Sequence, residues 1–224
     1  MDEGHLKQVS NDIAHDLRTP LTRLRTQLES QLARGGEGPD PAIEAALDDL
    51  DAILETFAAL LRIAQIEGGA RRAGFRPTDL SEVSRTVVEA FAPSAEDAGA
   101  SLVLETTGPL VVDGDSELLT QMVVNLVENG LRHAGRGATV RVAVASVRNA
   151  PVLSVIDNGP GVPDSEREHL FDRFYRLERT RSTPGSGLGL ALVAAVAKLH
   201  GAEIALHDAR PGLEVRVTFV TAAG

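Results

Sequence analysis

Ile13-Ala14-His15-Asp16-Leu17-Arg18-Thr19-Pro20-Leu21 is the stretch from which the rest of this 224-residue chain is best read. Apolar residues at Leu6, Val9, Ile13, Leu17, Leu21, Leu24, Leu28 and Leu32 recur every three or four positions. That spacing predicts an amphipathic helix over residues 5–33. His15 lies two residues from both Ile13 and Leu17, so it faces away from the apolar stripe. A core histidine is therefore disfavoured, and either a solvated or a reactive imidazole fits. A neutral imidazole attacks through one ring nitrogen when an acceptor holds the other. Asp16 is adjacent, and Thr19 is one turn on along the same face. Pro20 lacks an N–H and crowds the carbonyl of Asp16, which predicts a bend beside His15 unless it marks a helix boundary. The apolar period continues to Leu28 and argues against a boundary.

Outward from this segment, Arg34-Gly35-Gly36-Glu37-Gly38-Pro39-Asp40 is dense in helix breakers, and Asp40-Pro41 has the form of a cap followed by proline at the first helical position. Ile43, Leu47, Leu50, Leu54, Phe57, Leu61 and Ala64 then alternate steps of four and three, a heptad repeat. The two helices predict a hairpin. One hairpin cannot cover both of its apolar stripes, so two copies are expected to pair as a four-helix bundle, making the protein a homodimer. Glu67 to Gly74 reads as a linker. Beyond it the pattern predicts helices over 80–97, from Asp115 as cap to about His133, and from Ala191 to His200. Strands are predicted at 101–106, 110–112, 139–147, 152–156, 203–207 and 214–220. This is an α+β sandwich, with helices on one face of a mostly antiparallel sheet. The expected domains are 1–69 and 70–224.

Composition narrows the function. Hydrophobic residues make up 43% and charged residues 24%, enough for a core. A net charge of −10 disfavours nucleic-acid partners. With no cysteine, disulfides, Cys-ligated zinc and thiol catalysis are excluded. No apolar run approaches the ~20 residues of a membrane span. Aromatics are 3%, so the core must be aliphatic.

Four further segments carry candidate chemistry. Asn125-Leu126-Val127-Glu128-Asn129-Gly130-Leu131-Arg132-His133 stacks two amides on one helix face, which is either an ordinary polar face or one suited to Mg²⁺, with Arg132 a turn on for phosphate. Gly130 is unexpected in a helix interior. Asp157-Asn158-Gly159-Pro160-Gly161-Val162 follows a strand, either as a plain turn or as a site where a carboxylate can accept the exocyclic amine of adenine and glycines allow close approach. Gly185-Ser186-Gly187-Leu188-Gly189-Leu190 enters a helix, either as a glycine hinge or as an anion-binding arrangement unlike a Walker A or dinucleotide fingerprint. Leu170-Phe171-Asp172-Arg173-Phe174-Tyr175-Arg176 holds three of the seven aromatics, either pinning a loop or plugging the core. His5, His169, His200 and His207 show no metal-ligand spacing, and Asp48-Asp49, Glu166 and Glu168 read as solvated.

The His15 segment resembles the H-box of bacterial sensor histidine kinases. The other four resemble, in order and spacing, the N, G1, F and G2 boxes of the histidine-kinase/gyrase ATPase type. The resemblance covers nearly the whole chain. It implies His15 as phospho-acceptor, Asp16 as its acid/base partner, and Thr19 as a residue of the phosphatase reaction. It implies Asn129, helped by Asn125, as Mg²⁺ ligands, and Asp157, with Gly159 and Gly161, at adenine. Arg132, His133, Arg176 and the loop of Gly185, Gly187, Leu188 and Gly189 are implied near the phosphates, with 158–187 as an ATP lid. In hydrolytic relatives a glutamate stands where Asn125 does; an amide takes no proton and favours transfer over hydrolysis. The implied partner is a response-regulator receiver domain, docking around His15, Arg18, Arg23 and Leu24. The expected location is cytoplasmic, with no membrane contact by this part of a longer, membrane-anchored sensor. Two other classes share parts of the pattern: a non-transferring scaffold that binds nucleotide or acts mainly as a phosphatase through Asp16 and Thr19, and an ATPase or anti-sigma-type serine kinase of the same superfamily. The latter lack the His15 hairpin.

Overall fold

The computed structural model describes residues 21–22, 24–26, 28–30, 41–67, 74–135, 137–177 and 186–220. His15, Asp16, Thr19, Arg18, Arg23, Gly185, the turn 34–40 and the linker core 68–73 lie outside the described residues. The described positions between 21 and 30 are helical.

Helix α1 spans Pro41–Glu67. Then follow β1 (Arg76–Asp79), α2 (Leu80–Asp97), β2 (Ser101–Thr106), β3 (Val111–Gly114) and α3 (Ser116–Ala134). The second half adds β4 (Thr139–Val147), β5 (Ala150–Asp157), the single turn α4 (Asp164–Arg167), α5 (Gly189–Leu199), β6 (Glu203–Asp208) and β7 (Leu213–Thr218). Five strands form one sheet in the order β2-β4-β5-β7-β6; β1 and β3 pair separately. All pairings are antiparallel except β2 with β4, where Leu102 lies beside Val140.

Alternation in the strands decides which sheet face is covered. Val140, Val142 and Val144 on β4, and Leu213, Val215 and Val217 on β7, point inward and are buried. The opposite face carries ion pairs such as Arg141–Glu105 at 3.2 Å. Over the inward face lies α3, whose Leu118, Leu119, Met122, Val123, Leu126 and Val127 are each at most 2% exposed. Burying each such leucine is worth about 1.5–3 kcal/mol. Helices α2 and α5 flank α3 in the same layer.

Gly130 is explained by this packing. A Cβ there would stand 3.0 Å from Val140 Cγ1 and 3.2 Å from Cγ2, so glycine lets α3 close on β4.

The predicted elements differ from the structure at a few places. Strand β1 was not expected: Arg76-Pro77-Thr78-Asp79 is nearly devoid of apolar residues, and its pairing with β3 supplies the order (Thr78 beside Val112). β3 begins one residue later than predicted and runs to Gly114. α4 interrupts the stretch read as loop. α5 starts two residues earlier than Ala191, at Gly189.

Two junctions fix the helix layer. The Asp115 carboxylate accepts from the N–H of Glu117 (3.0 Å) and Leu118 (3.1 Å), capping α3. His200, at the end of α5, accepts the Asp115 N–H at Nε2 (3.1 Å), hydrogen-bonds the Val196 carbonyl at 2.8 Å and stacks on Phe75 at 4.6 Å. His200 thus joins the start of α3, the end of α5 and the segment entering β1. Glu166 is not merely solvated either, since it accepts from the Tyr175 hydroxyl.

Helix α1 carries two apolar faces. The heptad positions Leu47, Leu54, Phe57 and Leu61 are half-buried and Leu50 is buried. Ile63 and Ile66, outside that heptad, are 1% and 2% exposed and join the core beside α5.

Asp115→Ala should lower the stability of the chain by about 1 kcal/mol in urea unfolding, while Asp115→Ser should keep most of it. An unchanged midpoint for Asp115→Ala would show that the cap carries no stability.

Candidate nucleotide site

One face of α3 opens away from the core. Gln121, Asn125, Glu128, Asn129, Arg132 and His133 recur at helical spacing and line a cleft of about 690 Å³. The end of β5 supplies Asp157, the following turn Pro160, Gly161 and Val162, and β7 contributes Leu213. Ser186 to Leu190 form another wall, and Leu170, Tyr175, Arg176 and Leu177 a third. The volume lies within the usual range for small-molecule sites.

The described site residues therefore converge. Asn125, Asn129, Arg132, His133, Asp157, Gly161, Arg176, Gly187, Leu188 and Gly189 all line this cleft. Gly159 stands one step back: its N–H donates to Asp157 Oδ1 at 2.8 Å. A Cβ on Gly159 would sit 2.7 Å from the Cα of Ala134, so no larger residue fits between this turn and α3. Asn158 accepts the Thr139 N–H at 2.8 Å, tying the turn to the start of β4.

Asn125 donates through Nδ2 to the Gln121 carbonyl at 2.7 Å, which leaves its amide oxygen to face other groups. A Cβ on Gly189 would lie 3.1 Å from that oxygen. Helix α5 begins with no side-chain cap at Leu188, so its first N–H groups have no intrahelical partners. Such a helix start, with Arg132 and Arg176 nearby, favours phosphate. Among the described residues no group of three or more His, Asp or Glu side chains could cage a metal. Two amide oxygens suit Mg²⁺ that takes its remaining ligands from phosphate and water.

The aromatic segment pins a loop rather than plugging the core. Phe174 is 55% exposed. Its N–H donates to the Gly187 carbonyl at 3.1 Å. Gly187 has φ +70°, and a Cβ there would lie 2.8 Å from the Phe174 carbonyl carbon.

Desolvation pushes the Asp157 carboxyl above its ordinary value, against the opposing pull of the Gly159 and Leu213 N–H groups and of His133. A half-buried acceptor at a strand end, walled by apolar Val162, Leu170 and Leu213, is suited to an amine donor.

The sequence did not point to the contribution of α1. Glu55 and Ala59 line the cleft mouth. Arg62 hydrogen-bonds Gln121, and Arg173 Nη2 meets both carboxylate oxygens of Glu67, at 2.6 and 2.7 Å. The Arg173–Glu67 pair is exposed, so it is worth at most about 1 kcal/mol. Gln121 was within reach of sequence reasoning, standing four residues before Asn125 as Asn125 stands before Asn129.

Comparison with known proteins agrees with this geometry. Residues 114–223 match the family of histidine kinase-, DNA gyrase B- and HSP90-like ATPases, and residues 5–69 match the His kinase A (phospho-acceptor) domain. The sensor protein IrlS of Burkholderia pseudomallei is 33% identical over 98% of this chain and 47% of its own length. The sensor protein kinase PmrB of Pseudomonas aeruginosa is 35% identical over 94% and 45%. The solved mycobacterial sensor histidine kinase MprB is 32% identical, with TM-score 0.59, covering 64% of this chain and 97% of that one. Full-length ShkA, solved with AMPPNP, shares the fold at TM-score 0.80 and 24% identity, over 97% of this chain and 47% of its own. The chain belongs to the sensor histidine kinases, as the resemblance of its five boxes implied, and its C-terminal part is an ATP-binding module of the ATPase type. It spans about half the length of the curated relatives it matches. No helix among the described residues is long and apolar enough to cross a membrane.

A carboxyl raised by burial favours the protonated fold. Its stabilising effect is therefore complete below the unfolded value and is lost as pH rises through the folded one. Carbon-detected NMR titration of the Asp157 carboxyl should give a midpoint above 3.8, its ordinary value. Saturating adenine nucleotide should lower that midpoint, because a bound amine favours the ionised form. A midpoint at or below the ordinary value would contradict the desolvated site.

Proposed function

We propose that the chain uses ATP to phosphorylate its own His15 and passes the phosphoryl group to an aspartate of a response-regulator receiver domain. Phosphatase activity toward the same regulator, through Asp16 and Thr19, accompanies it. The observation that carries this reading is the convergence of Asn125, Asn129, Asp157 and Gly187 to Gly189 on one cleft.

The roles follow from the chemistry of each group. Asp157 accepts the exocyclic amine of adenine, and Gly159 and Gly161 let the base approach. Arg132, His133, Arg176 and the loop of Gly185, Gly187, Leu188 and Gly189 hold the phosphates. Asn129 and Asn125 are the residues that would hold Mg²⁺, which neutralises phosphate charge. Asn125 offers an amide where hydrolysis would need a base, so water is not activated there.

In the transfer, a ring nitrogen of His15 forms a bond to the γ-phosphorus as the bond to the bridging oxygen breaks and ADP leaves. Asp16 takes the imidazole proton. In-line geometry requires the 70–224 module to turn toward the 1–69 hairpin about the linker. The exposed Arg173–Glu67 pair is weak enough to exchange during such a turn, whereas Ile63 and Ile66, buried beside α5, have to leave the core or be carried with the module. Pairing of two hairpins through the heptad face of α1 makes the dimer. Ile53, beside the heptad positions and 47% exposed in the single chain, extends that face toward a second copy. The chain acts in the cytoplasm as part of a membrane-anchored sensor in this reading.

Incubation with radiolabelled ATP and magnesium should label the protein with an acid-labile, base-stable phosphate. His15→Gln should reduce labelling to background, and persistent label would exclude His15 as the acceptor. Asn129→Ala should abolish labelling with an unchanged circular dichroism spectrum.

A further inference from the structure

The adenine side of the cleft rests on a turn that the nucleotide itself need not touch. Residues 209–212, between β6 and β7, lie against the backbone of 157–161. Gly212 has φ +110°, and a Cβ there would fall 1.8 Å from the Asp157 carbonyl oxygen and 3.0 Å from the Cα of Asn158. Gly161 faces it, with a Cβ position 3.1 Å from the Gly212 carbonyl oxygen. The next residue, Leu213, brings its N–H near enough to the Asp157 carboxyl to favour its charged form, and lines the cleft.

One side chain spans this stack. Arg167, at the end of α4, is 23% exposed. Its Nε donates to the Val162 carbonyl at 3.1 Å, the last residue of the turn beside Asp157. Nη1 pairs with Asp164 at 2.9 Å. Nη2 lies 3.9 Å from Asp208 Oδ2, a Coulomb contact rather than a hydrogen bond. Asp208 uses its other oxygen to accept the Arg210 N–H at 3.1 Å, and Ala209 donates to the Gly212 carbonyl at 3.1 Å. The guanidinium thus bridges the two backbone segments that bracket the Asp157 carboxylate.

We propose that Arg167 is a positioning residue for base recognition: it clamps the Val162 turn and the β6–β7 turn together, so that the Gly159 N–H and the packing of Gly212 on the Asp157 backbone aim the Asp157 carboxylate at the amine of adenine. This inference rests on the nucleotide-site reading above. An arginine does this better than a lysine because its planar fork reaches a carbonyl and carboxylates at once. The clamp acts on the base edge and leaves the phosphate end, built by α3 and the start of α5, untouched.

The test uses the full chain and two nucleotides with the same phosphates. Inosine diphosphate carries a carbonyl where adenosine diphosphate carries the amine. Affinities for both, with magnesium, are measured by displacement of a fluorescent nucleotide. The wild-type protein should prefer ADP. In Arg167→Gln the ADP affinity should fall at least about threefold while IDP affinity stays within about twofold, so the preference shrinks. Arg167→Lys should fall between the two proteins. Gly212→Ala should lose the preference further; if it does not fold, the Arg167 pair decides alone. An ADP affinity in Arg167→Gln closer to wild type than threefold, or equal losses for ADP and IDP, overturns the clamp. Failure of the wild-type protein to bind either nucleotide overturns the nucleotide-site reading and the clamp with it.

Discussion

Helix α3 has to satisfy two surfaces at once, and the rest of the structure depends on that constraint. Its buried face, from Leu118 to Val127, holds it against the β4–β5–β7 face of the sheet. The buried leucines alone contribute several kcal/mol, so the helix cannot rotate without exposing them. Its other face then has no choice but to present Gln121, Asn125, Asn129 and Arg132 to the cleft. Gly130 brings the helix close to Val140, and Gly159 fits the space beside Ala134. The distance between the amides of α3 and the carboxylate at the end of β5 is therefore set by core packing, not by the polar groups themselves.

The same logic explains which parts were legible in the sequence. α2, β2 and β4 were read to their ends because they are patterned runs bounded by turns, and Asp115 marked the start of α3. β1 carried no such pattern, because its order comes from pairing with β3 and from the buried polar Thr78, which bonds the Gly114 carbonyl, rather than from apolar side chains. α4 is one turn inside a Gly/Pro-rich stretch and is held by contacts of Arg167 with Val162 and Asp208 and of Glu166 with Tyr175. The cleft residues were legible because each lay in a short motif whose residue types served one chemistry. Glu55, Ala59 and Leu213 lay in no motif. They reach the site through packing of distant segments, which spacing along a chain does not encode.

Helix α1 shows a further limit of periodicity. A strict heptad was visible from Ile43 to Ala64, and it describes a seam for another helix. Ile63 and Ile66 fall off that seam, yet are the most deeply buried residues of the helix. They form a second face that seats α1 on the ATP-binding module beside α5. The C-terminal part of α1 is thus shared between the hairpin and the module. Weak exposed contacts, Arg173 with Glu67 among them, border that shared face at the cleft mouth.

The central claim is that this cleft holds ATP through magnesium, the α3 amides and Asp157. Calorimetric titration of the chain with a non-hydrolysable ATP analogue, with and without magnesium, tests it most directly. The account predicts saturable binding of one nucleotide per chain that weakens sharply when magnesium is withheld. An absence of binding heat at several temperatures, with magnesium present, would contradict it.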